Sequence, residues 1–124
     1  MKSISDDKPK IFEKVGDGSW WYRFNVQKVT VEDPETHKTR EEWHYDECRI
    51  FAQPNENNVK SAAISEMFSV SEEINLQNNF QRFQLGLSDD ESFRTKYIEY
   101  LRAVDAIKRQ VDEDLAEYAG DITV

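Results

Sequence analysis

His37, His44 and Cys48 are the side chains of this chain best suited to hold a metal or to pair a nucleophile with a base. Imidazole and thiolate bind an ion such as zinc only when several of them converge on it. On an extended strand the step from His44 to Cys48 covers about 13 Å, so one ion cannot take both without a bend. His37 falls in a loop farther away. The expectation is exposed histidines, a half-buried thiol and no metal. The acids offer little more. Asp46 and Glu47 would point to opposite faces of a strand, and Asp89 with Asp90 sits where a helix begins. No nucleophile elbow, phosphate loop, HExxH motif or Cys–His arrangement is present. With 4 glycines, a backbone-lined phosphate cradle is not expected either. The chain reads as a non-enzyme with no catalytic residue and no cofactor.

The elements around these residues divide the chain in two. Residues 1–9 are polar and expected to be disordered, and Ile11 to Val15 is a short strand ended by Gly16-Asp17-Gly18-Ser19. Trp20 to Glu32 is rich in aromatic and β-branched residues, as is Thr39 to Phe51, and Asp33 to Lys38 links them. An antiparallel hairpin follows, in a β region over residues 10–53. Pairing Tyr22 with Ile50, Phe24 with Cys48 and Val29 with Trp43 makes both strands change their apolar face near Gln27 and Tyr45. Such a ribbon leaves Val29, Val31 and Trp43 for a partner. A bulge near Gln27-Lys28 would instead keep one face apolar throughout. Trp20 and Trp21 face opposite ways, which makes Trp21 a candidate for a partner surface or for stacking on a sugar.

Residues 57–118 read as helical. Asn57 or Asn58 caps a helix from about Val59, Glu72 to Leu85 forms a second with Gly86 ending it, and Ser88-Asp89-Asp90-Glu91 is a capping box for a third. The third carries Phe93, Tyr97, Tyr100, Val104, Ile107, Val111, Leu115 and Tyr118 on one stripe, about seven turns long and roughly 38 Å from end to end. The first two helices and the base of the hairpin suffice to cover Phe93 through Ile107. Val111, Leu115 and Tyr118 are left as candidate interaction residues.

The totals fit one α+β domain spanning residues 1–124: an antiparallel hairpin or three-stranded sheet packed on three helices, the last one long. The chain has 124 residues, 38% hydrophobic, 33% charged and 12% aromatic, with a net charge of −9. That charge repels phosphate backbones and argues against nucleic-acid binding. No run is apolar enough for a membrane span, and Met1 to Asp7 lacks a secretory signal, so synthesis in the cytoplasm is expected.

The order of parts carries a resemblance. Ala62 to Ile74, followed by Tyr97-Ile98-Glu99-Tyr100-Leu101-Arg102, resembles small phage- and prophage-encoded proteins of the tail- or virion-associated kind. Phe68-Ser69-Val70-Ser71-Glu72-Glu73 stands for their helix start, and Asn75, Asn78 and Asn79 for their Asn-rich stretch. Tyr100-Leu101-Arg102 with Lys108 stands for their terminal helix. The similarity covers roughly residues 55–110 and implies a non-enzymatic structural or assembly role, with self-association or a virion component as partner. The expected function is a protein–protein interaction module acting through Trp21, Val29, Val31, Trp43, Val111, Leu115 and Tyr118. The alternatives are carbohydrate or small-ligand binding by the hairpin aromatics, or acidic inhibition of a host protein.

Overall fold

Four antiparallel strands and then helices make up the computed structural model, which describes residues 2–122. The strands are β1 (Lys2–Ser5), β2 (Phe12–Lys14), β3 (Trp20–Glu32) and β4 (Thr39–Ile50), lying in the order β1-β4-β3-β2. The helices are α1 (Glu56–Met67), α2 (Val70–Gln84), α3 (Ser92–Glu117) and a final turn, α4 (Ala119–Ile122). The mixed α+β class and the long last helix agree with the sequence reading. Lys2–Ser5 does not: expected to be disordered, it pairs with Trp43 to Asp46 as a fourth strand, held by ladder hydrogen bonds more than by its side chains.

The two short strands lie on opposite edges, so the chain between them must cross a face of the sheet. Helices α1 and α3 cover the inner face, where Phe12, Trp20, Tyr22, Phe24, Cys48 and Ile50 meet Val59, Ala63, Ile107 and Val111. The crossing runs over the other face. There the Arg23 guanidinium donates to the Lys10 carbonyl (3.2 Å), and the Lys8 ammonium stands 5.8 Å from the centre of the Trp43 ring.

The hairpin register differs from the expected one. Tyr22 pairs with Cys48 and Phe24 with Asp46, whereas Gln27 pairs with His44 and Val29 with Glu42. Asn25 and Val26 thus stand against Tyr45 alone, a bulge placed slightly earlier than Gln27-Lys28. Asn25 has φ +52°, a conformation that asparagine tolerates better than most side chains. Its Nδ2 donates to Asp46 Oδ2 at 2.9 Å, which fixes the bulge to the neighbouring strand. The extra residue keeps Phe24, Val29 and Val31 on one face, so β3 does not switch faces; Trp43, on the uninterrupted β4, lies on the other face by simple alternation.

The caps of α1 and α3 are shifted as well, whereas Ser69 and Gly86 bound α2 as the capping-box pattern and the glycine predict. Asn55, not Asn57 or Asn58, caps α1, in reciprocal bonds with Asn58. Ser69 caps α2 through Glu72. Gly86, at φ +78°, ends α2 with bonds from Gly86 N–H to the Phe83 carbonyl and from Leu87 N–H to that of Arg82, a Schellman closure. The Ser88 capping box does not form. The Asp90 carboxylate accepts the Ser92 N–H instead, and α3 starts one turn later. Lys60 bridges Glu56 (2.7 Å) and Asp112 (2.8 Å), tying α1 to α3.

Because a β-branched side chain is strained at positive φ, Asn25→Val is expected to lower unfolding free energy by about 1–3 kcal/mol. Asn25→Gly keeps the backbone relaxed but takes the amide partner from the buried Asp46 carboxylate, and should cost about 1–2 kcal/mol, less than the valine, which loses that bond and is strained as well. Urea titrations of the two variants make the comparison.

Candidate functional site

Of the residues expected to meet a partner, the end of α3 is covered by the chain itself. Val111 is 1% exposed, and Leu115 and Tyr118 pack partly buried against the same core. The sequence reading undercounted the sheet here. The end of α3 meets the sheet through the Tyr22–Asp114 bond, so Val111 is interior packing and Leu115 and Tyr118 are partly covered instead of being left bare.

The tryptophans are each engaged. Trp20 is buried on the inner face. Trp21 lies on the opposite face with the Arg49 guanidinium 4.7 Å from its ring centre. That guanidinium is held by Ser19 Oγ (2.7 Å) and Asp17 (3.1 Å). Trp43 has the ammonium groups of Lys8 and Lys28 at 5.8 Å each. Arg23 completes the row, 5.7 Å from the Tyr45 ring and paired with Glu47 (2.7 Å) and Glu13 (3.0 Å). Cations on aromatic rings, each cation close to an acid or a ring, make this face polar without leaving a bare platform. Val29 and Val31 remain half-buried on the hairpin beyond the bulge.

The histidines and the thiol do not meet. His44 Nε2 lies 2.8 Å from Glu42, and His37 lies 3.2 Å from Glu32 in the hairpin loop. Among the described residues no group of three or more His, Cys, Asp or Glu could hold a metal. Cys48 is buried, and burial pushes its thiol up to about 12, so the thiolate is scarce at neutral pH.

What the sequence reading missed is Asp114. It is 4% exposed, it accepts the Tyr22 hydroxyl at 2.6 Å on one oxygen, and it takes the Gln110 amide at 3.0 Å on the other. Burial raises its pKa above the ordinary carboxylate value; the two hydrogen bonds offset this in part, and Glu117 and Glu113 reinforce it. Burial and the Asp114 carboxylate both hold the Tyr22 phenol in its neutral form. The signal was available: Asp114 stands three residues after Val111, on the inward stripe. Beside this network a cleft of about 440 Å³ opens between the bulge and α3, lined by Asn25, Gln27, Gln110, Glu117 and Tyr118 among others.

The uncovered apolar surface lies elsewhere. No residue of α2 is buried. Its neighbour is α3, reached through stacking of Phe80 on Tyr97 (4.7 Å between ring centres) and a bond from the Tyr100 hydroxyl to Glu73 (3.0 Å). On and around it Val70, Ile74, Leu85, Leu87 and Leu101 are 72%, 49%, 74%, 76% and 43% exposed.

Tyr22→Phe strips a hydrogen bond from a buried carboxylate and is expected to cost about 1–3 kcal/mol. Asp114→Asn retains an acceptor and should cost less. A carboxyl whose folded-state pKa is raised contributes stability that is complete below its unfolded value of 3.8 and is lost as pH rises through the folded value. The wild type should therefore gain on Asp114→Asn as pH is lowered from neutrality, in denaturant unfolding followed across pH. A constant difference between the two proteins would refute the assignment.

Among the described residues no helix is long and apolar enough to cross a membrane. Comparison with protein-family models, with curated proteins and with solved structures finds no match to this chain.

Proposed function

We propose that this chain is a non-enzymatic interaction module of the assembly type, with α2 and the adjoining turn of α3 as its principal partner face. One observation carries the reading. A fifteen-residue helix contributes no fully buried side chain and holds Val70 and Ile74 in water near its start, with Leu85 and Leu87 exposed at its far end and Leu101 exposed on α3. Exposed apolar side chains are unremarkable singly, but Val70 and Ile74 stand one turn apart on the solvent side of α2, an arrangement that a protein contact would cover. The rings that a sugar would stack on are approached by Arg49, Lys8 and Lys28, which favours the protein-contact reading over a carbohydrate platform. The Cys48 thiol, pushed out of its reactive range, and the Asp114 carboxylate, already bonded on both oxygens, lend no support to catalysis. A structural role in a virion or tail agrees with the resemblance over residues 55–110.

Val70→Glu with Ile74→Glu should leave stability within about 0.5 kcal/mol of wild type, since neither side chain is buried. A photo-crosslinking residue at position 74, introduced in cells, should give a discrete adduct that the Val70→Glu change abolishes. Absence of any adduct, or an adduct indifferent to that change, would remove α2 as the partner face.

A further inference from the structure

We infer that the free edge of β3 pairs with the same edge of a second copy of this chain, extending the two four-stranded sheets into one across a two-fold axis. Strand β2 pairs only with Trp20, Tyr22 and the residue between them, and the last backbone bond on that side runs from Arg23 N–H to the Ile11 carbonyl. Pro9 lacks the N–H needed to carry the ladder on, and the chain leaves to cross the sheet. Beyond the bulge, Lys28 to Glu32 pair with β4 on one side and with no described strand on the other. A row of backbone donors and acceptors is thereby presented to solvent.

The occupant follows from the sequence of that edge, Lys28-Val29-Thr30-Val31-Glu32. Laid antiparallel on itself about Thr30, it places each Lys28 opposite a Glu32, each Val29 opposite a Val31, and Thr30 opposite Thr30. Every cross-strand pair is favourable, and the alternation sets the valines on one face and the charges and threonines on the other. A two-fold interface requires this self-complementarity. A charge on an edge strand ordinarily repels a second strand. Here the two charges differ in sign and stand equally far from the centre, so a second copy adds an opposite charge to each, beyond the Glu41 that Lys28 meets at 2.7 Å and the His37 that Glu32 meets at 3.2 Å in its own chain. The free edge of β4 lacks this property: Thr39-Arg40-Glu41-Glu42 would set like charges against each other in several registers.

A five-residue edge buries little surface, so a weak, concentration-dependent dimer is expected. Sedimentation equilibrium of the full chain measures it. Lys28→Glu and Glu32→Lys each set like charges opposite one another twice per dimer and should weaken self-association roughly tenfold. An equimolar mixture of the two variants restores an opposite-charge pair at both contacts, and dimer should reappear. Both side chains are exposed, and the Lys28–Glu41 pair that Lys28→Glu gives up is a surface one worth about 1 kcal/mol or less, so the fold should survive, as circular dichroism will report. Should either variant unfold, amide hydrogen exchange of the wild type decides instead, by protection at Lys28 to Glu32 that rises with protein concentration.

The inference is overturned by a wild type that stays monomeric at roughly millimolar concentration, by a dimer indifferent to both changes, or by a mixture that remains monomeric. A strand donated by some other protein would give the first of these outcomes. The inference rests on the assembly reading in taking the chain to be a self-associating module. Its surface is separate from α2, so a monomer in sedimentation leaves crosslinking at position 74 to stand or fall alone.

Discussion

Tyr22 is the point on which this fold turns. Its side chain is fully buried, its ring stacks between Phe12 and Phe24 at 4.9 and 5.3 Å, and its hydroxyl reaches Asp114 at 2.6 Å. One residue thus ties an edge strand, a central strand and the far end of the longest helix. A buried carboxylate is tolerated only when its oxygens are satisfied, so the register of α3 on the sheet is fixed by where Tyr22 can reach, while Gln110 of the same helix satisfies the second oxygen. Once α3 is held there, its last turns cover the base of the sheet. The hairpin beyond the bulge and the α2–α3 hairpin then project from this core in return for few buried contacts.

The sequence announced some of this because some signals are local. The stripe from Tyr100 to Val111 is buried as its 3–4 spacing requires, and the sheet followed by helices follows from where period two gives way to period 3.6. The bulge was legible only as one of two options. Apolar parity fails between Phe24 and Val29 whether a strand turns over or gains a residue, and Asn25 in the left-handed region was the one residue-level hint. Lys2–Ser5 could not be read as a strand, since its pattern is mostly polar and its reason for being extended is a backbone partner at Trp43 to Asp46. Asp114 was hidden differently. An acid among Asp112, Glu113 and Glu117 looks like one more solvated charge, and its partner lies 92 residues away. The candidate surface was misplaced for the same reason: what covers Val111, Leu115 and Tyr118 is tertiary, and what leaves Val70 and Leu87 bare is tertiary too.

The two faces of the sheet solve different problems. The inner one is closed by apolar packing, and the outer one by arginine and lysine stems laid on aromatic rings and tethered to acids. Long cationic side chains can cover apolar surface while their heads stay in water, so an aromatic-rich sheet face stays wettable without a second layer of helices. A chain of net charge −9 has acids to spare for every tether.

The crossing of the segment between β1 and β2 sets the order in which the chain can be assembled during synthesis. Lys2 to Ser5 leave the ribosome well before Trp43 to Asp46, with which they pair, and Phe12 waits for Tyr22. The hairpin of β3 and β4 can close as soon as it is made, because its contacts are near in sequence. The first strand must then swing across that finished ribbon and dock from the far side. Strand β1 is therefore translated before its partner and folded late, and until it docks the outer edge of β4 is open to any other extended chain in its neighbourhood.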